Sequence, residues 1–144
     1  MTDFVLDNSV AMRWHLASEK ASDQKYAELV LMSLADVSAM VPNLWHLEAA
    51  NVLLGAEKRG DATLGDIEGF MAQLENLPIH VDPLTANNSF GRTMSLAREY
   101  KLSSYDAAYL ELAVRENLPI ASLDKDLLKA AKKAGVPIFS HATM

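Results

Sequence analysis

The sequence predicts an α/β fold in three layers, α/β/α, with a central parallel sheet of four to five short strands. Two observations carry this. Short apolar runs bounded by Pro, Asn, Asp or Ser recur along the chain: FVLD at 4–7, AMVPN at 39–43, PIHVDP at 78–83, PIASL at 119–123 and VPIFS at 136–140. Segments with apolar residues at helical spacing lie between them, and strands that alternate with helices imply a parallel sheet covered on both faces. The chain has 144 residues, 50% of them apolar, with no repeat or linker, so one domain over residues 1–144 is expected.

The elements follow in order. FVLD reads as a buried strand that delivers Asp7, Asn8 and Ser9 to its end and then switches at once to helical spacing. Two readings are open: these residue types cap helix starts, and the carboxyl ends of parallel strands form the crevice where ligands bind. Residues 16–36 and 64–75 read as helices. After the second strand, NLWHLEAANVLLGAEKRG places Leu44, Leu47, Ala50 and Leu54 on one stripe and ends at Gly60, a C-cap. YDAAYLELAVRENLP places Tyr109, Leu110, Ala113 and Val114 on another. DKDLLKAAKKAGVP has acids at its start, lysines in its last turn and Gly135 after it, as the helix dipole favours.

Composition excludes several chemistries. With no cysteine, disulfides and thiolate metal sites are out, and any metal must sit on oxygen or imidazole. The N-terminal MTDFVLDNSV has no signal-peptide pattern and no apolar run approaches a membrane span, so a soluble, cytoplasmic protein is expected. His15, His46, His80 and His141 lack the spacing of a zinc motif, and the phosphate-binding glycine loops are missing. Trp14, Trp45 and His46 read as packing residues or as part of a crevice rim. The net charge is −6, so a nucleic-acid partner requires local basic residues or bound cations, with Arg13, Lys58, Arg59, Arg92, Arg98, Lys101 and Lys125 as candidates.

Four acids fall where strands end or helices begin: Asp7, Glu48, Asp106 and Asp124. In a right-handed α/β sheet these positions face one crevice. Each also has a structural reading. Asp7 and Asp124 sit where N-caps belong, Ser103 to Asp106 matches a capping box, and Glu48 is compatible with a solvated helix face. Against that, Glu48 and Asn51 lie one turn apart beside the Leu44, Leu47 and Leu54 stripe, and Asp106 extends the stripe of Tyr109. A carboxylate near a core face needs a partner.

FVLDNSVAMRW, VPNLWHLEAANVLLGA, LSSYDAAYLELAV and IASLDKDLLKAAKKAGV together resemble the signature blocks of PIN domains, in particular the VapC-type toxins of bacterial toxin–antitoxin pairs. The resemblance covers essentially the whole chain. It implies a ribonuclease dependent on Mg²⁺ or Mn²⁺, with Asp7, Glu48, Asp106 and Asp124 holding the metal directly or through water. Ser9, Asn51 and Ser103 would support those carboxylates, and Asp126 occupies the place of a fifth acid. The substrate would be RNA, the partner a cognate antitoxin, and the assembly a homodimer through the apolar helices between 16 and 75. Arg13 is a candidate RNA contact, with Trp14 beside it. Forced together without metal, the acids should hold at least one raised pKa.

Two other readings stand beside this one. A receiver-like phosphoacceptor would use Asp82 and Lys125, but leaves Glu48 and Asn51 without a role. A protein-binding module on the same fold would treat the acids as caps, and their completeness counts against it.

Overall fold

The computed structural model describes residues 2–141; residue 1 and residues 142–144, the ends of the expected domain, lie outside them. A four-stranded parallel sheet has the order β3-β2-β1-β4, built from β1 (Phe4–Leu6), β2 (Ala39–Val41), β3 (Ile79–Val81) and β4 (Ile120–Ala121). β1 pairs with β2 through Phe4 opposite Ala39, and with β4 through Val5 opposite Ile120. All three β1 residues are buried. That is why a continuous apolar run, without alternation, is the signature of this strand. The fifth run contributes one bridge, Ile120 to Ile138, rather than a strand. Pro137 has no N–H to extend the ladder, although its carbonyl accepts from the Ile120 N–H and Phe139 stacks on Phe4 at 4.0 Å.

The helices are α1 (Asn8–Ala11), α2 (Ala21–Ser33), α3 (Trp45–Arg59), α4 (Leu64–Glu75), α5 (Thr85–Asn88), α6 (Met94–Tyr100), α7 (Ser104–Glu116) and α8 (Lys125–Lys133), with a 3₁₀ turn after α1 and a π turn between α5 and α6. α2 is shorter than the expected 16–36. The segment 85–100 is helical although the sequence pattern predicts no element there: Thr85, Asn87, Asn88, Ser89 and Gly91 are weak helix formers and Phe90 is exposed, and the core-facing stripe is confined to the second half, where Leu96 is buried and Tyr100 packs against the core. Gly60 ends α3 at φ 81, a left-handed cap that glycine adopts without strain, as its position predicts.

α3 corrects the expected stripe. Its buried residues are Trp45, Ala49, Leu53 and Ala56, whereas Leu47 is 77% and Leu54 62% exposed. Two stripes of helical period run along this helix on nearly opposite faces. Packing selects the one whose alanines let the helix approach its neighbours closely, and leaves Leu47 and Leu54 of the other outside, while Leu44 at the N-cap still packs against the core. α7 is different again: Ala107 to Ala113 are all buried, including Glu111, so this helix is covered all round. No helix among the described residues is long and apolar enough to cross a membrane.

The strand order places the chain's reversal between β1 and β4. There, outside the carboxyl ends of the two strands, the connecting segments diverge, which is the place where open α/β sheets form their ligand crevice.

Candidate functional site

Asp7 follows β1 at this crevice and is 6% exposed. It occupies the N-cap position of α1, yet its side chain makes no capping bond. Its Oδ2 instead accepts hydrogen bonds from the Ser9 hydroxyl at 2.6 Å and the Ser122 hydroxyl at 2.7 Å. Those serines are anchored in turn: Ser9 Oγ accepts from the Leu123 N–H and Ser122 Oγ from the Asp124 N–H. The network therefore joins the end of β1 to the end of β4. For Asp7, the capping reading is excluded.

The other three acids stand at helix N-termini. Glu48 and Asp106 lie in the first turns of α3 and α7, and Asp124 caps α8, its Oδ1 accepting from the Asp126 and Leu127 N–H groups. Ser103 caps α7 through the Asp106 N–H, but the reciprocal bond that completes a capping box, present at Thr63 and Asp66, is not formed here. The Asp106 carboxylate is thus left to the crevice. Three helix N-termini put their partial positive charge behind these acids, which offsets part of the cost of gathering them.

The acids act on one another electrostatically. Burial raises the Asp7 pKa above the ordinary carboxylate range and outweighs the two serine bonds, with repulsion from Glu48 and Asp124 adding to it. Burial likewise raises Glu48, against bonds from Tyr109 and Asn8, with Asp106 adding repulsion. Asp106 is pushed up to about 6, first by burial and then by Asp124, Asp7 and Asp126. The expected raised pKa is present at three of the acids, but desolvation is its larger cause and repulsion the smaller. Among the described residues none of the four carboxylates has a basic partner within 4.0 Å; the ion pairs are formed by Lys20, Arg59 and Arg115.

The supporting residues divide. Ser9 touches Asp7, Ser103 the backbone of Asp106, and Asp126 is exposed beside the crevice. Asn51 is exposed on the side of α3 that carries Leu54 and Lys58, and Glu48 is held instead by the Tyr109 hydroxyl at 2.5 Å. Arg13 lines a separate cavity of about 380 Å³ with His15 and Arg59, to which none of the four acids contributes. Trp14 packs against the core and donates its indole N–H to the Ala27 carbonyl, and Trp45 is 1% exposed, so both are packing residues.

Three contributors are not legible as such in the sequence. Ser122, 2% exposed, reads as the tail of a strand. Tyr109 reads as one apolar position of a stripe, although a buried tyrosine hydroxyl requires a partner and that requirement is the available signal. Asn8, 7% exposed, donates to the Trp45 carbonyl at 2.8 Å, and its own Oδ1 is buried without a hydrogen-bond partner. Asp82, the central acid of the receiver-like reading, is 1% exposed and paired with Arg115 at 2.6 Å, which removes it from phosphoacceptor chemistry.

Among the described residues no three acidic or histidine groups close into a ready-made ion cage. Carboxylates and an amide oxygen are hard donors, so this set suits a cation that keeps several waters and takes one or two carboxylates directly, as Mg²⁺ does.

The comparison with curated protein sequences finds no match. Among solved structures, the chain is similar to PAE2754 from Pyrobaculum aerophilum, with a TM-score of 0.64 and 18% identity over 90% of this chain and 87% of that one. It is also similar to FitAcB from Neisseria gonorrhoeae, with a TM-score of 0.50 and 18% identity over 97% of each chain. At such identities the likeness concerns the fold. The family model of the PIN domain matches residues 4–133, a span that takes in all four strands and every acid of the crevice, and by that match the chain belongs to the PIN-domain family.

Proposed function

We propose that this protein is a ribonuclease that hydrolyses RNA phosphodiesters with Mg²⁺ or Mn²⁺, and that it is the toxin of a VapC-type toxin–antitoxin pair. PIN domains are in general nucleases. The observation that carries the reading is the gathering of Asp7, Glu48, Asp106 and Asp124 at the β1/β4 crevice, with no basic partner among the described residues. A fold that only needed helix caps would not bury Asp7 among serines and leave Asp106 uncapped.

In this reading the four acids hold the metal directly or through water. Held there by Asp7, Glu48, Asp106 and Asp124, a divalent ion would supply Lewis acidity toward water and charge neutralisation at a phosphodiester. The chain's own residues provide the orientation: Ser9 and Ser122 fix the Asp7 carboxylate, and Tyr109 fixes Glu48. Asp7, Glu48 and Asp106 are raised in pKa because the fold disfavours their negative charge, and a cation in the crevice would offset that cost. An antitoxin would oppose this by placing an Arg or Lys among the acids, since a guanidinium pairs with carboxylates bidentately. The exposed apolar residues Met32, Leu47, Leu54 and Leu64 all lie between 16 and 75 and would form the homodimer contact.

The test is cleavage of RNA by purified protein. Cleavage should require Mn²⁺ or Mg²⁺, stop with chelator, and disappear in Asp7→Asn and Asp106→Asn. Undiminished cleavage in EDTA would exclude the metal mechanism, and growth arrest by an Asp7→Asn chain equal to that by wild type would exclude the toxin reading.

A further inference from the structure

A basic cavity lies along α8, the helix that Asp124 caps. About 580 Å³ in volume, it is lined by Lys101, Lys129 and Lys133 together with Glu99, Tyr100 and Asp126. Three ammonium groups against two carboxylates reverse the balance of a chain in which 19 acids face 13 bases. Among the described residues none of the three lysines is in an ion pair.

The cavity walls are continuous with the elements that carry the site. Lys129 and Lys133 lie on α8, which Asp124 caps, and they are one turn apart, about 6 Å along the axis. Lys101 ends α6 at φ 56, in the left-handed region that a lysine enters at a cost, and the chain passes from it directly to Ser103, the cap of α7. Asp126 links the two regions, since it lines the cavity and its backbone N–H donates to Asp124 Oδ1 at 2.9 Å.

Resting on the nuclease reading above, we propose that this cavity is where the phosphate backbone of a single-stranded RNA leaves the crevice, with Lys129, Lys133 and Lys101 contacting successive phosphates beyond the bond that is cut. Three lysines from two elements, two of them one helical turn apart, suit a chain of anions better than a single anion, and Asp126 of the same wall is bonded to Asp124. A backbone track also answers how a chain of net charge −6 retains a polyanion: the attraction is local.

Binding tests this without catalysis. A labelled single-stranded oligoribonucleotide of mixed sequence, about 12 nucleotides long as suits one binding domain, is titrated in EDTA by fluorescence anisotropy over a series of salt concentrations. The double variant Lys129→Ala, Lys133→Ala should bind at least tenfold more weakly at low salt, and the slope of log K against log salt should shrink by about 0.7 for each phosphate that is no longer neutralised. Lys101→Ala should show one such step. Lys132→Ala, an exposed lysine of the same helix that does not line the cavity, is the control for net charge. Unchanged affinity and slope in the double variant would overturn the proposal, as would an equal weakening in Lys132→Ala, which would mean diffuse attraction. Displacement of the RNA by poly-glutamate at equal charge would also overturn it, in favour of an acidic protein segment. Because these titrations contain no metal, failure of the wild type to cleave RNA would count against the nuclease reading alone.

Discussion

Asp106 shows how a single residue ties stability to function. Its folded pKa, about 6, lies above the ordinary value of 3.8 for a free aspartate, so the fold favours the protonated acid. Ionising it therefore costs stability. The cost is absent below about pH 3.8, grows as pH rises, and is complete above about pH 6. A rise of this size corresponds to about 3 kcal/mol, and because the side chain is only half buried, solvent screening reduces this to about 1 kcal/mol. Asp106→Asn is accordingly expected to melt at or above wild type at pH 7 in the absence of metal, and to flatten the decline in stability between about pH 4 and 6. A variant that melts several degrees lower would mean that the carboxylate is a structural partner. Tyr109→Phe probes the neighbouring Glu48. Removing the hydroxyl leaves the ring's packing intact and frees the carboxylate, so cleavage should fall by about 10- to 100-fold with little change in melting temperature.

At the scale of elements, the firmest tie is the one that locks α7 to the end of β3. Arg115 on α7 bonds both Asp82 oxygens, at 3.1 and 2.6 Å, and both Glu111 oxygens, at 2.8 and 2.9 Å. Both acids are almost fully buried. Burial works to raise the Asp82 pKa, yet the Arg115 bonds and charge, with bonds from Leu84 and Thr85, hold it below the ordinary value. Arg115→Ala strands two buried charges and is expected to destabilise the protein by about 3–5 kcal/mol, measured by urea unfolding at pH 7. Since Asp106 and Tyr109 lie on the same helix, the surviving folded fraction should also lose activity. A loss below about 1 kcal/mol would show that water already reaches this network.

For the whole molecule, the proposed metal binding and the proposed homodimer each predict an observable behaviour. A cation that binds only the folded state at a hundredfold excess over its Kd adds about 2.7 kcal/mol, and a chain of this size gains roughly 2–4 °C per kcal/mol. Saturating Mn²⁺ should therefore raise the wild-type melting temperature by several degrees at constant ionic strength, and should move Asp7→Asn far less. Equal shifts in both would place the ion elsewhere. The exposed Leu47 and Leu54 on α3 are where the proposed homodimer contact would lie. Leu47→Lys together with Leu54→Lys should give a monomer by sedimentation with the fold intact; a wild type that is itself monomeric at high concentration would refute the homodimer.

The sequence by itself determined the class of fold and the places of the acids. Apolar runs ending in Asp, Asn or Ser, and helices marked by Gly60, Gly135 and terminal charges, are local signals, because backbone conformation and caps depend on neighbours in the chain. The tertiary structure decided what those residues face. It chose between the two stripes of α3, since equal periodicities are separated only by what packs against them. It turned Asp7 from a cap into an acceptor of Ser9 and Ser122, the latter 115 residues away in the chain, and paired Glu48 with Tyr109 rather than with Asn51. Hydrogen bonds of that span depend on strand order, and strand order is a property of the assembled sheet, not of any one segment.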